Sequence, residues 1–96
     1  MYARVAKWEG GTAEALRQSA KQINADVDAG PPEGLPAKGL LMLIDPDGGR
    51  AIAISLFETE EDLRQGDATL NTMSPRTDMG RRAAVETYEV AFDVRL

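Results

Sequence analysis

The groups available for chemistry in this 96-residue chain are carboxylates, arginines, lysines, tyrosines, amides and hydroxyls, because it has neither histidine nor cysteine. Thiolate nucleophiles, histidine general bases, serine triads, the usual zinc sites and haem held by an axial histidine are thereby excluded. Neither a metal nor another cofactor is expected. Asp45-Pro46-Asp47-Gly48-Gly49 faintly resembles a calcium loop, but the spaced ligands and closing glutamate are missing, so it reads as a turn. Arg76, Arg81 and Arg82 fall in a loop expected over residues 74–82, either as a solvated basic loop or as an anion-binding lid. Arg4 and Arg50 are candidates to pair with Glu89 or Asp93 across strands. Glu60, Glu61 and Asp62 read as a complement to a helix dipole rather than a carboxylate site.

The elements that must position these groups are organised around residues 50–63, where a strand runs straight into a capped helix. Ile52, Ile54 and Leu56 form one bulky strand face, while Ala51, Ala53, Ser55 and Phe57 form the other. Thr59 then takes the N-cap position of a helix over 60–71, with Leu63, Gly66 and Leu70 on its inner stripe and Met73 as a possible extension. A glycine in mid-helix costs roughly 1 kcal/mol against alanine, so Gly66 either permits close approach to the sheet or leaves a space beneath the helix.

Upstream, residues 2–8 read as a strand with Ala3 and Val5 on one face and Tyr2, Ala6 and Trp8 on the other. Gly10 and Gly11 end it, Thr12 caps, and Ala13, Leu16, Ala20, Ile23 and Val27 recur at helical spacing until Gly30 and the prolines beyond. Residues 38–45 form a second strand whose middle, 40–44, is apolar at every position and needs cover on both faces. The turn at 45–49 makes a hairpin with the strand that follows. Residues 85–96 close the chain as a strand, with Tyr88, Val90, Phe92, Val94 and Leu96 on one face.

Eleven basic residues against sixteen acidic ones leave a net charge of -5, which opposes binding to phosphate backbones, so nucleic acid is not an expected partner. No apolar run approaches the roughly 20 residues that span a bilayer. A single domain, soluble and cytoplasmic, is expected, with no membrane partner.

The order strand, helix, strand, strand, helix, strand is that of a ferredoxin-like α+β sandwich, an antiparallel sheet with the first and third strands central and both helices on one face. Its other face is left open and apolar, and a second copy of the sheet is the expected cover.

Three stretches carry a resemblance: Tyr2-Ala3-Arg4-Val5 with Trp8-Glu9-Gly10, the join from Ala53 to Leu63, and Val85-Glu86-Thr87-Tyr88-Glu89-Val90. Together they resemble the dimeric α/β-barrel superfamily and, more narrowly, its antibiotic biosynthesis monooxygenase-like branch. The resemblance implies a homodimer whose two sheets pack into a barrel, with a ligand cavity between each sheet and its own helices. Phe57 matches the aromatic that ends the strand in such proteins, whereas Gly66 stands about where haem-degrading relatives carry a tryptophan. With no histidine to ligate haem, that activity is not implied. The candidate cavity lining is Trp8, Asn24, Met42, Phe57, Gly66 and Tyr88, although Asn24 also reads as a solvent-facing helix residue. Two functions follow from different classes. One is a small apolar or aromatic ligand-binding or interaction module; the other is a cofactor-independent monooxygenase or isomerase acting on an aromatic or polyketide-like molecule.

Overall fold

A computed structural model of the chain describes residues 1–28, 30, 34–72 and 80–96. Six elements follow one another: β1 (Tyr2–Gly10), α1 (Ala13–Asp28), β2 (Gly39–Asp45), β3 (Arg50–Phe57), α2 (Glu60–Asn71) and β4 (Gly80–Glu89). The strands form one antiparallel sheet in the order β2-β3-β1-β4. This order, with the two helices, is compatible with a ferredoxin-like fold, and the sheet is open. No described helix is long and apolar enough to cross a membrane.

Local chemistry explains the element ends. Thr12 Oγ1 accepts from the Ala15 N–H at 3.1 Å, and Thr59 Oγ1 accepts from the Asp62 N–H at 3.1 Å, so a threonine caps each helix. In the β2–β3 hairpin, Asp45 Oδ1 accepts from the Gly48 N–H at 3.1 Å and Asp45 Oδ2 from Arg50 Nη2 at 2.6 Å. Gly49, at φ +67°, closes the turn in the left-handed region, where a side chain is disfavoured. The Arg50 guanidinium and the Gly48 N–H hold the Asp45 carboxyl below its ordinary value. Arg50 therefore pairs within its own hairpin, not with Glu89 or Asp93.

Register assigns the two faces of the sheet. Tyr2 lies opposite Phe57, Arg4 opposite Ser55, Ala6 opposite Ala53 and Trp8 opposite Ala51, and directly opposed residues share a face. Leu40, Met42 and Ile44 join that face by pairing with Ser55, Ala53 and Ala51. Both helices pack there. Leu16 of α1 clusters with Ala51, Trp8, Met42 and Ile44, and Leu63 of α2 clusters with Phe57, Leu35, Tyr2, Ala37 and Leu70. Along α1 the buried residues are Leu16 and Ser19, while Ile23, expected on the inner stripe, is exposed.

Gly66 answers to close approach. It is buried against Phe57, and a Cβ at position 66 would overlap the Cε1 and Cζ atoms of that ring. The space beneath the glycine is filled by Phe57, which is 0 % exposed. Met73, the suggested extension of the inner stripe, lies outside the described residues.

The last strand departs from expectation at both ends. It begins at Gly80 instead of residue 85, so Arg81 and Arg82 are strand residues rather than parts of a basic loop, and Arg76 lies outside the described residues. It ends at Glu89. The β1–β4 ladder finishes with Tyr2 opposite Glu89 and one further bond from the Val90 N–H to the Met1 carbonyl at 2.9 Å, leaving residues 91–96 exposed and without regular structure. Alternation identified a face for these residues, but pairing requires a neighbouring strand, and β1 offers none opposite them.

We predict that Gly66→Ala destabilises the chain although alanine is the better helix former by about 1 kcal/mol. Overpacking a filled site costs typically ~1–3 kcal/mol, and the smaller side chain in Phe57→Leu should return part of that loss in the double variant. Urea unfolding of the two single variants and the double variant checks this; a stabilising Gly66→Ala would show that open space lies under the helix.

Candidate functional site

The six candidate lining residues do not converge on one site. Trp8 and Met42 meet beside Leu16 and Ala51 at the α1 end of the helix–sheet layer, and Phe57 and Gly66 meet at the α2 end. Asn24 is exposed on α1. Tyr88 lies opposite Ala3 on β1, whose face points away from the helices. A groove of about 730 Å³ runs along α1, and its described lining, which includes Arg17, Lys21 and Gln22, contains none of the six.

Arg4, like Arg50, does not pair with Glu89 or Asp93. It is 4 % exposed in the first half of β1, beneath α2. Its Nε donates to Asp67 Oδ1 at 2.7 Å and its Nη2 to Asn71 Oδ1 at 3.1 Å, so it serves the helix above it and not a strand beside it. Arg82 Nη1 donates to the same Asn71 oxygen at 2.9 Å. Two guanidinium groups thus converge on one amide oxygen at the end of α2, and one of them also holds the Asp67 carboxylate. The signal was present in the strand parity, since Arg4 is in phase with Tyr2, Ala6 and Trp8, the side that holds the core. A buried guanidinium needs a charged partner, and the polar inner positions of α2, Asp67 and Asn71, are four residues apart on one helix face. Ser55, directly opposite Arg4, and Ser19 on α1 are also buried.

The other face of the sheet has a different character. Val5, Ile54 and Leu41 lie in one cross-strand row; Lys7, Ile52 and Leu43 in the next; Ala3, Leu56 and Gly39 in a third. No described helix covers them. Leu41 is 51 % and Leu43 48 % exposed, and Tyr88 is also exposed. Soluble proteins rarely leave so continuous an apolar surface in water without a use for it.

One ion pair stands within this apolar face. Lys7 Nζ lies 2.7 Å from Glu86 Oε1, linking β1 to the edge strand β4. Its hydrogen bond to Glu86 raises Lys7 above the ordinary lysine value, and the same bond, opposed by partial desolvation, lowers Glu86 below the ordinary glutamate value. At the end of the same strands Arg81 pairs with Glu9. No group of three or more carboxylates among the described residues is arranged to hold a metal ion.

No protein-family model matches the chain, and no curated protein is significantly similar to it.

The Lys7–Glu86 pair gives stability a defined pH window. Glu86 is depressed on folding, so its contribution is present above the unfolded carboxylate value and is lost as pH falls through the folded one. Lys7 is raised, so its contribution is complete below the unfolded lysine value and is lost as pH rises through the folded one. Wild type should therefore exceed Glu86→Gln in urea stability around neutrality, with the gap closing as pH falls below the ordinary carboxylate range. A gap independent of pH would show that the pair carries none of the acid dependence.

Proposed function

We propose that the protein works as a homodimer in which the helix-free faces of two sheets meet, as an interaction module or as a binding module for a small apolar or aromatic ligand. The observation that carries this reading is the open face itself, with Leu41 and Leu43 about half exposed beside Ile52, Ile54, Leu56 and Val5. A two-fold interface applies one patch twice, so an apolar sheet face is self-complementary without further specialisation. The filled space under Gly66 removes the enclosed apolar volume that either a ligand cavity or a reaction chamber at that position would need, which weights this reading towards interaction. This reading fits the dimeric α/β-barrel resemblance in the sequence and does not require the activity of its antibiotic biosynthesis monooxygenase-like branch.

One observation favours a second reading, a cofactor-independent monooxygenase or isomerase acting on an aromatic or polyketide-like molecule. Arg82, exposed beside the Arg4–Asp67 pair and bonded to Asn71, leaves one positive charge in excess at the edge of the helix–sheet layer, where a substrate that supplies its own carbanion would be stabilised as an anion. Oxygen uptake with readily deprotonated polycyclic phenols tests it. Uptake lost in the exposed-site variant Arg82→Met would support this chemistry, and no uptake with any such phenol would leave the binding module.

For the main reading, sedimentation equilibrium at micromolar concentration should report twice the chain mass. The double substitution Leu41→Glu/Ile54→Glu places charges in the contact and should yield a folded monomer, judged by an unchanged far-ultraviolet circular dichroism spectrum. A wild-type chain that sediments as a folded monomer would contradict the proposal.

A further inference from the structure

We infer that four alternating charges, Asp45, Arg50, Glu9 and Arg81, orient the dimer by each meeting an opposite charge on a second copy. This rests on the face-to-face dimer proposed above and specifies how its two sheets are turned relative to each other. The charges end the open face as a row across all four strands. Asp45 on β2 lies opposite Arg50 on β3, Glu9 on β1 lies opposite Arg81 on β4, and one step beyond the Trp8–Ala51 pair the β1–β3 register sets Glu9 beside Arg50. All four are in phase with the open face: Asp45 with Leu41 and Leu43, Arg50 with Ile52 and Ile54, Glu9 with Val5 and Lys7, and Arg81 by lying opposite Glu9. From β2 to β4 the signs run minus, plus, minus, plus. Within the chain Arg50 pairs with Asp45 and Arg81 with Glu9, yet the two arginine side chains remain 69 % and 78 % exposed, and a guanidinium has donors enough for a second carboxylate.

Two-fold symmetry makes this row self-complementary. Two faces that meet are related by an axis lying between them, and an axis along the strands lays each row over the same row of the second copy in reverse order. A row of alternating sign and even number then meets its complement throughout: Asp45 faces Arg81 and Arg50 faces Glu9, each contact occurring twice. The apolar rows agree. Under the same reversal Gly39 faces Tyr88, Leu56 faces Ala3 and Leu43 faces Ala84, a large residue against a small one each time. Lys7 and Glu86, which then face Ile52 and Leu41, are already paired with each other. An axis across the strands would instead lay the charged row over Gly39, Leu56, Ala3 and Tyr88, removing water from four charges with no new partner to offset the loss. A second copy is the occupant because one chain carries both halves of every contact.

Swapping charges within a pair keeps that pair and changes only what it would meet. In Glu9→Arg/Arg81→Glu the row runs minus, plus, plus, minus, so all four contacts across the axis become like-charged. Sedimentation equilibrium should show a dimer at least about tenfold weaker, with an unchanged circular dichroism spectrum. Adding Asp45→Arg/Arg50→Asp restores the alternation and should recover the wild-type affinity. Raising salt from ~50 to ~500 mM should weaken the wild-type dimer and tighten that of the first variant, a readout that does not depend on the quadruple variant folding. Equal affinities of wild type and the first variant, a folded quadruple variant as weak as the first, or salt effects of the same sign in both would overturn the oriented row while leaving the face-to-face dimer standing. A wild-type chain that is monomeric would overturn both.

Discussion

Phe57 fills the space that Gly66 leaves, and the spacing of α2 above the sheet depends on that contact. The ring is fully buried where β3 ends, and the helix that starts three residues later returns over it with no side chain at the crossing point. Thr59 fixes the direction of departure by capping the helix, and Leu63 and Leu70 add apolar contact on either side of Gly66. This close approach also brings Asp67 and Asn71 within hydrogen-bonding distance of Arg4, a charged residue that would otherwise be stranded in the core. The helix-facing half of the molecule is thus internally satisfied: small β3 residues admit the helices, and the one buried guanidinium described there is paired.

The opposite half is not satisfied in the same way. The two helices suffice for one side of a four-stranded sheet, yet β2 carries large apolar side chains on both sides and β3 carries Ile52, Ile54 and Leu56 on the side the helices leave open. The Lys7–Glu86 pair interrupts this surface with matched charges, which cost less to shield from water together than either would alone. On our reading the open face belongs to a second copy, which places function in the assembled pair.

Elements whose signals are local were legible in the sequence. The join from β3 to α2 could be read residue by residue, because strand parity, the Thr59 cap and the helix stripe lie within one short segment. The β2 excess was legible too, since a run of five apolar residues cannot be covered by one layer. What was lost depended on partners distant in sequence. Strand neighbours are the local candidates to pair with Arg4, whereas Asp67 and Asn71 reach it from more than sixty residues away. β4 starts before its alternation does because Gly80, Arg81 and Arg82 have turn-like or solvated character, and only pairing with Gly10, Glu9 and Trp8 makes them strand. It ends before its alternation does for the converse reason, a clean pattern with no neighbour among the described residues to bond. Of the candidate site, the sequence supplied the individual residues but not their division between two ends of the helix layer and two faces of the sheet.

The central claim is that a second copy covers the open face, and the most direct test is the solvent accessibility of its methyl groups. In a methyl-labelled sample at concentrations where the dimer is populated, a soluble paramagnetic probe should leave Leu41, Leu43, Ile52 and Ile54 sharply resolved while broadening Ile23, which is exposed on α1. Broadening of the four sheet methyls to the same degree as Ile23 would mean that the face is bare in solution, and the account would be wrong.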